Sequence, residues 1–301
     1  MDIARIAPRA ALLGAAALLT ATTVAQAATA PSARVAVKTF ATSVAPLSSG
    51  EVTLPYSQSV SMACRPNERA IAPGIASATH YLTAQSFGPA AVSSIVVGPK
   101  GRAVSRLQVL CLRNGRVVNR RVEGRLVPGI SGAGFGRVTA TATCPRGFVA
   151  SGAPLSQDYA PGFGAFTSVP NGPRGWRVVV DKAPDVLATT GSPGAFADVA
   201  CVKARGSSVV VKRGTIGANG ALSMTATCRR GRALGWGVDL GAYTDRMTSF
   251  DGRWATPIVR RAAFTSARRM AFQFRLPAGV DAATAAGTPV AAHLICGTPA
   301  R

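Results

Sequence analysis

Two histidines, His80 and His293, are the only side chains in this 301-residue chain that titrate near neutral pH without help. A Ser-His-Asp site would need one of them as its base. No G-x-S-x-G turn accompanies either one. His293 lies in AHLIC, which reads as a strand, and His80 in SATHYLTAQSFG, which reads as a loop. Glycoside hydrolysis would need two carboxylates held across a bond. The nearest groupings are Asp181 with Asp185, and Asp239 with Asp245 and Asp251. The latter lack the spacing of a calcium loop, and salt bridges to the abundant arginines are the simpler role for all five. GISGAGFGR at 129–137 is followed by a strand-like run rather than a helix, so it reads as a hairpin connection, not a phosphate loop. Six cysteines without a C-x-x-C pair, and only two histidines, give no zinc pattern. No cofactor or metal is expected.

Arginine is the richer signal. Lysine and arginine number 34 against 12 acids, a net charge of +22. Arg113, Arg116, Arg120, Arg121 and Arg125 crowd one stretch. In the last third Arg229, Arg230, Arg232, Arg260, Arg261, Arg268 and Arg269 are interleaved with Trp236, Tyr243, Phe250 and Trp254. Guanidinium groups grip phosphate, and aromatic faces stack sugars or bases. This set is the candidate binding face, and solvated arginines over core aromatics are the competing reading. An anionic polymer or a cell-envelope glycan is the partner class the charge favours. No nucleic-acid reading motif occurs.

Strands must position these residues. Glycine and proline are frequent, and runs such as WRVVVDK, AFQFRL and SSVVVKR cluster β-branched and aromatic residues between breakers. No sustained 3.6-residue period follows the first 30 residues, so the chain reads as all-β. MDIARIAPR, the apolar AALLGAAALL and the small-x-small site Ala25-Gln26-Ala27 have the layout of a signal peptide cleaved after Ala27. Residues 28–301 then form a secreted, extracellular β domain with no membrane span.

Landmarks recur in that domain. A β-run precedes a cysteine at a turn, a glycine follows, then a strand ending at proline, then a cysteine closing a strand. This order is met three times, over 33–113, 115–203 and 207–299. The tetrapeptide TATC, at 141–144 and 225–228, is the same strand in two units, with threonines on one face and alanines on the other. A polar residue stands three before each closing cysteine: Gln108, Asp198 and His293. An even cysteine count in a secreted chain implies disulfides. The repeat selects one bridge per unit: Cys64–Cys111, Cys144–Cys201 and Cys228–Cys296.

TCPRGFVASGAPLS, GWRVVV and FADVACVK resemble a repeat of secreted proteins from actinobacteria and related bacteria. In it a Cys-Pro-x-Gly turn leads to a glycine cluster, a Gly-Trp pair and a strand ending at cysteine. The second unit carries it most fully, at Cys144, Pro145, Gly147, Gly152, Gly175, Trp176 and Cys201. The first has CRPNE and the third CRRG in place of the turn. Three units with such turns are also similar to the vitelline membrane outer layer protein I family. That resemblance implies a β-prism of three sheets about a pseudo-threefold axis, suited to extracellular coats and carbohydrate. Three small β-sandwiches in tandem are the alternative arrangement. The function expected is a non-catalytic protein associating with an anionic or glycan-rich surface. A glycan hydrolase and a purely structural coat protein are the alternatives.

Overall fold

The computed structural model describes residues 32–43, 56–77, 81–87, 91–98, 104–127, 136–152, 163–182, 196–240, 258–276 and 282–301. The signal-peptide expectation lies outside them. The described chain is strand throughout, apart from turns and a single helical turn at Ala282–Ala285.

Alternation explains the strands locally. In β9 (Gly136–Thr143) the side chains of Val138, Ala140 and Ala142 are buried while Thr141 and Thr143 are exposed, the two faces expected of TATC. In β17 (Arg269–Arg275) Met270, Phe272 and Phe274 point into the core, while Arg269, Gln273 and Arg275 meet water.

The pairings repeat three times. The first group is β1 (Arg34–Ser43), β2 (Tyr56–Ala63), β3 (Glu68–Ser77), β4 (Tyr81–Phe87), β5 (Ala91–Gly98) and β6 (Val104–Arg113). Here β6 lies between β1 and β3, while β5 lies between β2 and β4. The second group is β7 (Val117–Glu123), β8 (Arg125–Val127), β9, β10 (Phe148–Gly152), β11 (Phe163–Asn171), β12 (Gly175–Lys182) and the start of β13 (Phe196–Thr215). Here β13 lies between β7 and β10, and β12 between β9 and β11. The short β8 is an addition, paired to β9. The third group is the end of β13, then β14 (Ala221–Thr227), β15 (Arg232–Asp239), β16 (Ile258–Ser266), β17 and β18 (Pro289–Pro299). Here β18 lies between β13 and β15, and β17 between β14 and β16.

The groups are not separate bodies. β16 of the last pairs with β3 of the first through Ala262 and Ile75. β11 of the second pairs with β15 of the third through Thr167–Asp239 and Ser168–Val238. Each of these sheets thus joins strands of two units, and none closes as a barrel. Three tandem sandwiches, each closed on itself, would place no ladder between units, so that alternative falls. Passage between units needs a sharp backbone turn. Asn114 at φ 55° provides it after β6, and Gly206 at φ 59° provides it inside β13, where the pairing with β18 also shifts register.

One bridge closes each group, Cys64–Cys111, Cys144–Cys201 and Cys228–Cys296, as the repeat predicts. The units meet where β3, β10 and β15 converge. There the wholly buried Ser151 hydroxyl lies 2.6 Å from the Ile71 carbonyl and 2.7 Å from that of Leu234, sharing its one proton between two other units. Ile71 and Leu234 are the bulged residues of β3 and β15. The Trp236 indole N–H donates to the Pro73 carbonyl at 2.6 Å, again joining unit three to unit one.

Gln108 marks the weakest ladder. Only one residue pair joins β3 to β16, and the amide of Gln108 reaches across from β6 to serve as a substitute strand. Its Oε1 accepts from the Phe264 backbone N–H at 2.9 Å, and its Nε2 faces the Phe264 carbonyl at 3.5 Å. The path runs over Gly74, which stands opposite Gln108 and where a Cβ would come within 3.1 Å of the Phe264 ring. Gln108→Leu keeps the volume and strands the Phe264 N–H in a buried seam. It should lower stability by about 1–3 kcal/mol in urea titration, and a change under a few tenths would refute the bridging role.

Candidate functional site

In units two and three the turn joining the early cysteine to its next strand stands beside the turn that precedes β12 or β17. In unit two the Cys144 N–H donates to the Arg174 carbonyl at 2.8 Å, and Arg174 Nε returns a bond to the Cys144 carbonyl at 3.1 Å. In unit three Cys228 and Arg268 exchange the same two bonds at 2.8 and 3.1 Å. Arg268 also donates through Nη2 to the Arg229 carbonyl. These two arginines fasten turn to turn. Their positions just before the fifth strand, in PRGW and ARRM, are equivalent, but unit one has Ala90 there. Comparing the units at that position would have revealed the pair. Arg174 was missed, and Arg268 was assigned only to binding.

The structure divides the expected arginine set. Arg229, Arg230, Arg232, Arg268 and Arg269 are exposed and gather at one end of unit three, where β14 turns into β15 and β16 into β17. Arg260 and Arg261 stand near the opposite end of β16 and are half-buried. They do not join the first five. Trp236, expected on the binding face, is fully buried, packs edge-on to Phe272 at 5.9 Å and is hydrogen-bonded through its indole. It is core, because β15 turns both faces of Ala233–Val238 inward. Tyr243 and Trp254 lie outside the described residues.

The rim continues into unit two. Arg232 pairs in register with Gly297, and Arg205 with Thr298 on the other side of β18. The Ala300 N–H donates to the Lys203 carbonyl at 2.8 Å, and the Lys203 N–H to the Arg116 carbonyl at 2.9 Å. Lys203 pairs with Phe148, two residues from Arg146 in the next turn. Arg116, Arg146, Arg174 and Arg205 are all exposed. No acidic side chain stands on this line among the described residues. Glu123 closes the far end of β7, Asp239 the far end of β15, and Asp181 stands opposite Arg137.

The remaining polar clusters do other work. The Lys38 ammonium lies 2.9 Å from the Glu68 carboxylate, which also accepts from the Arg65 N–H at 3.0 Å. Burial would raise the Glu68 carboxyl, but these two contacts hold it below its ordinary value. The adjacent sulfurs of Cys64 and Cys111 are bonded to each other and offer no thiolate. At the other end of β15, burial lowers the His293 pKa; Asp239 opposes the effect and Arg213 adds to it. His293 Nδ1 is buried without a partner, and the Thr167 hydroxyl donates to Asp239 at 2.7 Å instead of to the imidazole. A hydroxyl held by the acid has no base to activate it, so this trio is not a nucleophile relay.

No family model matches this chain, and no curated protein matches it. No helix among the described residues is long and apolar enough to cross a membrane. Three disulfides fit an oxidising, extracellular environment.

Proposed function

We propose that this is a secreted, non-catalytic β-repeat protein that associates with an anionic extracellular surface, either a charged envelope polymer or a glycan bearing acidic groups. Residues 1–27 serve in this reading as its cleaved signal peptide. The observation that carries the proposal is the end of unit three. There Arg229, Arg230, Arg232 and Arg269 crowd two touching turns, all exposed, and no acidic partner is found for them among the described residues. Like charges gathered this closely repel one another, and an external anion relieves that repulsion.

Chromatography of the secreted protein on a phosphorylated or sulfated matrix tests this. Retention at about 0.05 M salt should be lost by about 0.5 M, because the contacts are exposed and screened over a Debye length. Retention that ignores salt, or none at the lowest salt, would remove the proposal.

A further inference from the structure

The anionic-surface reading leaves open what kind of anion is bound, and the shape of the rim bears on that. The cations do not ring a pocket. They follow the ends of neighbouring strands: Arg116 at β7, Lys203 and Arg205 in β13, Arg232 at β15 across β18, then the Arg229–Arg268 turns. Two strand spacings at about 4.8 Å, from Arg205 in β13 across β18 to Arg232 in β15, make roughly 10 Å before the turns extend the line further. A single phosphate or sulfate would meet only one or two of these groups. The rim also lacks a stacking platform among the described residues. Trp176 and Trp236 are fully buried, and Phe148 packs against the core. Bases and neutral sugars would find no aromatic face there.

We propose that the rim over units two and three binds a linear polyphosphate-type backbone, an extended chain of phosphate groups recognised by its charge and repeat rather than by bases or sugars. The proposal rests on the anionic-surface reading and narrows it. Several phosphates engage successive guanidinium groups, so that each added contact acts at high effective concentration.

The test uses the full secreted chain with inorganic phosphate, tripolyphosphate, long-chain polyphosphate and an oligothymidylate of matched charge, followed by calorimetry or fluorescence anisotropy. Long-chain polyphosphate should bind at least about tenfold tighter than tripolyphosphate. The triple variant Arg205→Ser, Arg230→Ser, Arg232→Ser should weaken that binding at least about tenfold and flatten its salt slope by about two to three. A control with the same charge loss, Arg106→Ser, Arg213→Ser, Arg275→Ser, removes exposed arginines elsewhere and should change binding less than about threefold. All six side chains are exposed, and urea midpoints confirm that both variants fold; Arg230→Glu gives a single-site check. Equal losses in the two triples would mean net charge alone acts, and would overturn the inference. So would affinity independent of chain length, or oligothymidylate binding more tightly than polyphosphate. In each of those cases salt-sensitive retention on the anionic matrix could persist, leaving the broader reading intact. Failure of that retention as well would remove both.

Discussion

Gly152→Ala will be among the most damaging single-methyl additions to this protein. A Cβ at residue 152 would lie 1.9 Å from Trp176 Cε2 and within 2.4 Å of two more ring atoms. Trp176 cannot swing aside. It is fully buried, its indole N–H donates to the Ser168 hydroxyl at 2.9 Å, and its strand is laddered on both sides. Overpacking of this kind costs about 1–3 kcal/mol where side chains can adjust, and a pinned indole puts the expected loss at about 3 kcal/mol or more. Urea denaturation would measure it. Trp176→Leu should itself be destabilising, yet the double variant should lose markedly less than the sum, since the clash needs both partners. Additive losses would mean that Gly152 matters for some reason other than contact with Trp176.

Removing the Cys228–Cys296 bridge as a double alanine variant should lower stability by about 4 kcal/mol. The bridge closes a separation of 68 residues, and the other two close 47 and 57. Loop entropy varies only with the logarithm of length, so the three double variants should fall within about 1 kcal/mol of one another. The interlocked sheets add a second expectation. Unit three supplies β16 to the sheet of unit one and takes β11 from unit two. Unfolding should therefore remain a single transition by circular dichroism and by tryptophan fluorescence, even with one bridge gone. Two separated transitions would show units that fold independently.

Much of this architecture was legible in the chain. Cysteines alternating between a turn and a strand end gave both the unit and the bridges, because a disulfide joins residues that adjacent strands hold at fixed register. Ala140, Thr141 and Ala142 gave the faces of β9 by simple alternation. The joining of strands from two units in one sheet was not legible. β16 meets β3 through one residue pair, and nothing local to Ala262 or Ile75 distinguishes a neighbour in the same unit from one in another. The glycine that follows each early cysteine does not fall at one structural position. Gly74 and Gly237 stand opposite Gln108 and His293, but Gly152 stands opposite Val199, because β3 and β15 carry a bulge that β10 lacks. Which members of the candidate site are exposed was legible only in part. Arginine at a turn must reach water, so Arg229, Arg230 and Arg269 were predictable. Alternation from Arg232 would leave Trp236 on the exposed face, but β15 carries a bulge at Leu234 and is buried on both faces from Ala233 to Val238, so Trp236 meets Pro73 rather than solvent.

The contact of β16 with β3 also fixes how many units the chain can have. In a solenoid each repeat touches only its neighbours, and arrays lengthen or shorten freely. Here the last unit clasps the first, through Ala262 and Ile75, through Gln108 and Phe264, and through Trp236 and Pro73. A fourth unit inserted anywhere would have to pry that clasp open. Deleting the first or the third would leave Ser151 with one carbonyl instead of two. Duplication and loss, the ordinary means by which repeat proteins diversify, are closed to such a body. Variation is confined to what each unit displays at its turns, which is where the arginines are.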